Sequence, residues 1–471
     1  MDRRRRSFLA GGAAAGAAVA VPGGSARAQT RTFTPEEFGA KGDGVANDTS
    51  AFQALALAVN QAGGGTVEFR RTTYLVGRQT PNGKADSLYY FSATPLLEFS
   101  KCSKPLVIRG NGAVLRCAPG LRFGIFDLAG RPNNPPMPYL GPGVATPYRF
   151  MIRAEKCTGP VSISNIEIDG NLPRLQIGGR YGDTGWQIPH CGIGLVDNRG
   201  DEIIENVHCH HHGMDGLVID GDDSAMRPLP RRTITGLVSD YNGRQGCSLV
   251  GGRGYAFSKC KFNRTGRSAV ASAPGAGVDI EAEGKLNRDF SFVDCEFVDN
   301  YGQGMVADSG DSEGATFTRC LFIGTTSWST WSFKPRFRFL NCRFVGSAVR
   351  PYGDKDPERA TQYIDCLFLD DPKLSPTGKV YLGGKPNYPI VDTADAVNVL
   401  FSRCTFRLTH NGLLPWGWYS IYANVRMDQA APVEAYPKGR YLGSNVINGK
   451  VDLYGSKIEG TLVVNGRRAG G

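Results

Sequence analysis

After the basic start of residues 1–28, the sequence has no cluster of lysines and arginines of the kind that binds nucleic acid. Its formal net charge is +10, from 54 basic and 44 acidic residues in a chain of 471. The five arginines and one aspartate of residues 1–28 supply four of those charges, so the rest of the chain carries +6. This mild basic excess fits an acidic polymer as a ligand, and no nucleic-acid partner is expected.

The apolar stretch at the N-terminus has the features of an export signal rather than of a membrane span. The segment "MDRRRRSFLAGGAAAGAAVAVPGGSARAQT" joins a basic start, small apolar residues and an A-x-A site at residues 26–28. Arg5 and Arg6 followed by "SFL" resemble the bacterial twin-arginine signal, with an ordinary signal peptide as the alternative. We predict a leader over residues 1–28, a periplasmic or secreted protein, and no stable membrane insertion.

The spacing of the cysteines does not fit a disulfide framework, although twelve cysteines in an exported chain would ordinarily suggest one. Six of them begin the pattern C-x-F, at Cys260, Cys295, Cys320, Cys342, Cys366 and Cys404. A cysteine and the phenylalanine two residues later share one face of a strand, and a free thiol is readily buried. The pattern predicts a buried file of reduced thiols beside a file of phenylalanines.

The C-x-F units recur at intervals of 22 to 38 residues, which indicates a repeat architecture. Between them recurs a glycine followed by alternating apolar residues, as in "GIGLVD", "GLVIDG", "GCSLVG", "GVDIEA" and "GMVADS". Each turn of the chain thus holds at least two short strands joined by Gly, Asn and Asp corners. Stacked turns would pair each strand with its copy in the next turn, which predicts an all-β fold, a parallel β-helix forming one domain over residues 29–471.

Residues 38–69, "FGAKGDGVANDTSAFQALALAVNQAGGGTVEF", predict an amphipathic helix that covers the open first turn. We expect a capping box at Ser50 and Gln53, apolar contacts from Phe52, Leu55 and Val59, and a stop at Gly63.

The runs "FGAKGDGVANDTSAFQ" and "AGGGTVEF", with "ISNIEIDGN" at residues 163–171, resemble the pectate lyase superfamily of right-handed β-helix proteins, which includes rhamnogalacturonase-like hydrolases and uronate epimerase-like proteins. The resemblance covers residues 33–325, and residues 326–471 continue as looser coils and a C-terminal cap. It implies a right-handed helix and leaves the reaction open, because this fold carries hydrolases, lyases, epimerases and binding proteins. The G-H-G segment of polygalacturonases and the Y-G-x-D-P-H segment of alginate epimerases are missing.

The strand "GVDIEAE" sets acidic residues on alternate positions, which turns Asp279 and Glu281 outward together. Aligning the glycine-led strands places Asp220 and Asp308 in the same outward column. Strand geometry then separates Asp279 from Glu281, and Glu281 from Asp308, by roughly 5 to 7 Å. That range suits the paired carboxylates of glycosidases. We therefore predict Asp279, Glu281 and Asp308 as the catalytic group, the alternative being a solvated strand face.

Several neighbouring side chains are candidates for substrate binding. The corner "DYNGRQG" carries Arg244, whose guanidinium suits a substrate carboxylate, and Gln245, although the corner could equally serve the backbone alone. Asp220, Asp215 and His212 complete the predicted binding group, with a corner role as the alternative for Asp215. No metal site or cofactor is expected, because alternation sets His211 on the opposite face from His210 and His212, and "DGDDS" lacks the spacing of a calcium loop.

These features predict an exported glycoside hydrolase that acts on a polysaccharide, with acidic polysaccharides among the candidate substrates. A uronate-directed lyase or C5-epimerase is one alternative, and a glycan-binding β-helix without catalysis is another. The sugar, its linkage, endo or exo action, retention or inversion, and the oligomeric state stay open at this point.

Overall fold

A computed structural model describes residues 31–85, 88–127, 129–132, 145–179 and 188–469. The predicted leader over residues 1–28 lies outside the described residues. No helix in this part of the chain is both long enough and apolar enough to cross a membrane.

The described strands wind into three parallel sheets along one axis, which confirms the predicted parallel β-helix. Sheet A holds the glycine-led strands: Leu97–Ser100, Phe150–Glu155, Cys191–Val196, Asp215–Asp220, Gln245–Arg253, Ala276–Ile280, Met305–Ala307, Thr330–Ser332, Ala348–Val349, Val391–Ala394 and the start of Trp416–Ala423.

Sheet B holds the strands that precede the C-x-F units: Thr32–Phe33, Gly65–Glu68, Leu106–Cys117, Val161–Asp169, Glu202–His210, Arg232–Thr235, Ala256–Ser258, Asn287–Val293, Ser312–Thr318, Phe337–Leu340, Gln362–Ile364, Leu400–Ser402, Pro437–Leu442 and Lys457–Ile458. The end of Trp416–Ala423 also pairs in this sheet.

Sheet C holds the C-x-F strands: Thr73–Val76, Val238–Asp240, Lys261–Asn263, Glu296–Val298, Leu321–Ile323, Arg343–Val345, Leu367–Leu369, Thr405–Leu408, Arg426–Gln429, Ser444–Asn448 and Thr461–Val464. The three long strands Leu106–Cys117, Val161–Asp169 and Glu202–His210 bend and serve both B and C.

Smaller elements lie outside the three sheets. They are the antiparallel pair Gln79–Ala85 and Leu88–Ala93, the short pair Arg122–Phe123 and Gln176–Ile177, a last strand Arg467–Arg468 antiparallel to Thr461–Val464, and the 3-10 turns Pro35–Phe38, Leu172–Arg174 and Pro372–Leu374.

The helix Thr49–Ala62 covers the first turn as predicted. Phe52, Leu55 and Val59 are fully buried, and the Phe52 ring lies 5.4 Å from that of Tyr74 in sheet C. Gly63 ends the helix with a φ of 72°, a conformation that glycine adopts without strain. The predicted capping box at Ser50 and Gln53 is wrong. The N-cap residue is Asp48, whose carboxylate instead accepts backbone N–H groups that precede the helix.

The corner between sheets B and C explains why C-x-F recurs. The residue before each of these six cysteines has a φ between 51° and 55°, a left-handed bend that turns the chain from one sheet into the next. The cysteine then points into the core, and the phenylalanine two residues on stacks on its copies in neighbouring turns. Ring centroids in that file are 4.6 to 5.6 Å apart, for Phe262, Phe297, Phe322, Phe344, Phe368 and Phe406.

A second aromatic file runs through sheet B, with centroids 4.5 to 5.4 Å apart, for Phe257, Phe292, Phe317, Phe339, Tyr363, Phe401, Tyr422 and Tyr441. Together the two files form the core of the central and C-terminal turns. Alanine in place of one of these phenylalanines would cost roughly 3 to 5 kcal/mol of unfolding free energy.

All twelve cysteines are buried and free. Burial raises the pKa of the Cys191 thiol to about 12 and that of Cys247 well above its usual range, so these two thiols form hardly any thiolate at neutral pH. We predict that thiol titration in denaturant without reductant finds twelve thiols, and that native protein reacts with almost none. A count of ten or fewer in denaturant would show that disulfides form in the protein.

Candidate active site

Sheet A presents the predicted carboxylates on its outer face. The strand Ala276–Ile280 buries Val278 and Ile280 in the core, and Asp279 points the other way, paired in register with Ser248 and Val306. The alternation predicted for the glycine-led strands is therefore confirmed here. Asp279 is nonetheless only 4% exposed, because neighbouring turns and the adjoining corner cover it.

The corner at residues 241–244 brings Arg244 and Gln245 to this face. Asn242 fixes the corner from inside, since its carboxamide oxygen accepts the backbone N–H of His212 at 3.0 Å. Arg244 is 7% exposed, and its Nη1 lies 3.6 Å from Oδ2 of Asp215. The Nε2 atom of Gln245 donates to Oδ2 of Asp279 at 2.5 Å. The corner thus connects Asp215 and Asp279, two turns apart, through adjacent side chains.

Asp215 belongs to the same buried group. It is 1% exposed, its Oδ2 accepts the Ser248 hydroxyl at 2.8 Å, and its strand position pairs with Gln245. Sequence reasoning gave Ser248 no role. In the structure it is a hydrogen-bond donor to the site.

Burial governs the protonation of both aspartates. It raises the pKa of Asp279 well above its usual range, and the nearby Glu281 and Asp308 raise it further against the opposing effect of the Arg244 cation. Burial also raises the pKa of Asp215, outweighing Arg244 and the Ser248 hydrogen bond. Asp279 is thereby suited to hold a proton near neutral pH and to donate it.

Glu281 and Asp308 lie at the more open edge of this group. Glu281 is half-buried and Asp308 is exposed. The Ser309 hydroxyl donates to Oε1 of Glu281 and lies 3.3 Å from Oδ1 of Asp308, so one serine links the two carboxylates. No sequence pattern indicated Ser309. Glu283, the third acidic residue of the strand segment, is exposed and close enough that its charge raises the pKa of Asp215.

Three polar atoms of the group have no hydrogen-bond partner within the described part of the chain: Oδ1 of Asp215, Oε1 of Gln245 and Oδ1 of Asp279. Buried polar atoms are normally satisfied, and unpaired ones collect at sites that meet a ligand. A protonated Asp279 beside open carboxylates can deliver a proton to a bound oxygen while a neighbour accepts one. The structure thus brings together six of the eight predicted site residues: Asp279, Glu281, Asp308, Arg244, Asp215 and Gln245.

Asp220 does not join this group, so its predicted column position is wrong. The strand register shifts after Ile219, and Asp220 pairs with Gly251 instead of Val250. Its carboxylate then accepts Nζ of Lys285 at 2.6 Å, with Asp197 on the same ammonium at 3.0 Å. A structural ion cluster, and not the site, holds this side chain.

His212 is also misassigned as a binding residue, because it is fully buried in the core. Its Nδ1 lies 3.2 Å from the Tyr148 hydroxyl, and its ring is 5.5 Å from that of His190. Burial, reinforced by His190, lowers the pKa of His212 well below its usual range, so the ring stays neutral.

The prediction that His211 lies on the opposite face from His210 is wrong as well. The φ of His211 is 55°, which ends the strand alternation, and the two Nδ1 atoms are 2.6 Å apart.

Comparison with known proteins supports the fold. Residues 152–344 match the family model of the right handed beta helix region. "Depolymerase 1, capsule KN3-specific" of Klebsiella phage KN3-1 is 27% identical in an alignment of 358 positions that covers 67% of this chain. The chain spans only 39% of the length of that curated relative.

Among solved structures, the N-terminal fragment of bacteriophage phi29 gene product 12 aligns with a TM-score of 0.52 and 14% identity, over 91% of this chain and 65% of that one. This likeness concerns the fold alone. The chain has the fold of a right-handed parallel β-helix, as the sequence resemblance implied.

We predict that Asp279→Asn removes a pH-dependent penalty on stability. A folded-state pKa above the unfolded value of about 3.9 means that Asp279 stabilises the fold while protonated, and that this contribution is lost as pH rises through the folded pKa. The variant should therefore gain stability relative to the parent between pH 4 and pH 8 in urea unfolding. Each pH unit between the two pKa values contributes up to about 1.4 kcal/mol.

Asp365→Asn is the matched control for this measurement. The Arg403 guanidinium lowers the pKa of the exposed Asp365, so its removal should shift the difference slightly in the opposite sense. An equal loss of stability for Asp279→Asn at every pH would show that Asp279 is ionised in the folded protein.

Proposed function

We propose that this protein is an exported polysaccharide-degrading enzyme, and specifically a glycoside hydrolase. The observation that carries the proposal is the position of Asp279, which is buried and has a pKa raised by that burial, beside the more accessible carboxylates Glu281 and Asp308. Environments that separate the protonation of neighbouring carboxyl groups divide the roles of acid and base.

In the proposed reaction, Asp279 donates its proton to the glycosidic oxygen as the bond to the anomeric carbon breaks. Glu281, with Asp308 beside it, accepts a proton from the attacking water or attacks the anomeric carbon itself. Gln245 holds the Asp279 carboxyl in place through its hydrogen bond. Arg244 and Asp215 form an ion pair beside Asp279. They would support sugar binding indirectly, because Asp215 accepts the Ser248 hydroxyl and Arg244 belongs to the corner next to Gln245.

A row of side chains on the outer face of sheet A supports a long polymer as substrate. The position of Asp279 is paired, strand after strand, with equivalent positions in the following turns. These are Val306, Trp331, Val349, Asp392 and Trp416. These five strand spacings cover about 24 Å. At the far end a groove of about 600 Å³ is lined by Trp416, Trp418, Tyr436 and Lys438, among others. Aromatic rings that are exposed beside polar groups suit the faces of sugar rings.

The likeness to a capsule depolymerase adds a substrate class to the proposal. Bacterial capsular polysaccharides are often acidic, which the mild basic excess of the chain would favour. A uronate-directed lyase or epimerase is the second candidate, favoured by Arg244 on the same site. Its cation would neutralise a substrate carboxylate while a carboxylate base removes the adjacent proton.

We predict that Asp279→Asn and Glu281→Gln each lower turnover of the polysaccharide by roughly a hundredfold to ten-thousandfold, the range for loss of an acid or base. The variants should be assayed on acidic and neutral polysaccharides, with products examined by mass spectrometry in water enriched in oxygen-18. Saturated products with solvent oxygen at the new reducing end are expected. Asp220→Asn is the matched control and should retain activity, since the Asp220 carboxylate is paired with Lys285.

An unsaturated uronate product without solvent oxygen would replace hydrolysis by a lyase reaction at the same site. Binding without any product would reduce the protein to a glycan-binding solenoid. Full activity of both carboxamide variants would remove the proposed site for either reaction.

A separate prediction concerns the aromatic groove. Trp416→Ala and Trp418→Ala should each raise KM for the polymer roughly tenfold, about the cost of one lost buried apolar contact, while kcat on a short oligosaccharide stays unchanged. Tyr454→Ala is the control, because that ring is 86% exposed and does not line the groove. Equal KM values for all three variants would exclude the groove as part of the binding track.

A further inference from the structure

A second group of polar side chains lies on the outer face of the bend from sheet B into sheet C. The strands Val161–Asp169 and Glu202–His210 pair so that Glu167 faces His208 and Asp169 faces His210. Asp240 follows His210 in the next turn. Two histidines and three carboxylates thus converge in adjacent strands, at a place that the proposed reaction does not use.

Three atoms that can serve as metal ligands lie close together. Nδ1 of His210 lies 2.6 Å from Nδ1 of His211 and 3.7 Å from Oδ1 of Asp169. The left-handed φ of His211 turns its ring back toward the strand, and stacking on Tyr241 at 5.0 Å and 5° fixes its plane. Asp169 and His210 are each less than a tenth exposed, so the point is sheltered.

Surrounding residues orient these donors. Oε1 of Glu167 lies 3.4 Å from Nε2 of His210 and accepts its hydrogen, which leaves the lone pair on Nδ1. The backbone N–H of Asn171 donates to Oδ1 of Asp169, and Nε of Arg116 donates to Oδ2.

We propose that His210 Nδ1, His211 Nδ1 and Asp169 Oδ1 bind one divalent transition-metal cation of the zinc type. Zinc takes nitrogen and carboxylate ligands at about 2.0 to 2.2 Å in tetrahedral sites, which sets donor atoms about 3.3 Å apart. The two nitrogen atoms need to separate by about 0.7 Å, and the carboxylate oxygen to approach by a few tenths of an ångström. The cation replaces the proton shared by the two imidazoles, and water completes the shell.

The charges around the point favour a cation. Three carboxylates surround the proposed site, those of Glu167, Asp169 and Asp240. Two guanidinium groups oppose them, because Arg116 pairs with Asp169 and Arg264 pairs with Asp240. The bound metal would hold two strands and the corner that leads to Asp215 in one arrangement. The site is independent of the reaction proposed for sheet A.

The test is titration of the full-length, tag-free, chelator-treated protein with zinc chloride in a calorimeter, and with cobalt chloride in a visible spectrometer. One zinc ion per chain and the intense visible bands of tetrahedral cobalt are expected. Zinc should raise the Tm of the parent protein, because it binds the folded state.

Variants separate this site from its neighbours. His211→Ala and Asp169→Asn should weaken zinc binding at least a hundredfold, beyond the tenfold to hundredfold cost of losing an orienting partner. His410→Ala, at an exposed histidine in a distant turn, should bind as the parent does. His208→Ala should also bind zinc, because that ring is bonded to Asp240 at 2.9 Å and is not a ligand. The Tm of each metal-free variant verifies its folding.

Loss of binding in His208→Ala with retention in His211→Ala would overturn the assignment in favour of Glu167, His208 and His210, which also lie within ligand reach of one another. Absence of stoichiometric zinc binding by the parent protein, or equal binding by the parent and His211→Ala, would refute the site.

Discussion

The structure depends on one constraint, the in-register pairing of parallel strands from each turn to the next. Pairing without slippage places equivalent residues in columns about 4.8 Å apart, and every column meets the same environment along the axis. The thiol file, the two aromatic files and the outward row from Asp279 to Trp416 are all columns of this kind. A solenoid built this way turns a short local pattern into a surface many turns long.

The candidate active site uses this regularity and departs from it at one place. Regular columns set Asp279 beside Ser248 and Val306, and an irregular corner delivers Arg244 and Gln245 over the same position. The corner supplies the burial that the flat face of a sheet lacks. Burial in turn raises the pKa of Asp279, while Glu281 and Asp308 stay more open to water. A rigid sheet and a covering corner are together sufficient to give neighbouring carboxyl groups different roles.

Local patterns predicted the regular parts of the molecule. The C-x-F spacing predicted buried Cys320 and Phe322, and alternation in "GVDIE" predicted inward Val278 and outward Asp279, because both follow from the two-residue period of a strand. The same reasoning failed at Asp220, His211 and the capping box. A register shift, a left-handed φ and an Asp48 engaged by preceding backbone groups are local departures from periodicity, and period counting assumes that none occurs.

The sequence by itself determined the fold class, the buried thiols and the identity of most residues at the candidate site, because these depend on short-range periodicity and on the chemistry of side chains. Only the tertiary structure decided that Asp279 is buried against Gln245, that Lys285 withdraws Asp220, and that His210 and His211 meet Asp169. Each of these contacts joins residues from different turns, or residues at a corner, where the conformation of the backbone and not its period sets the direction of a side chain.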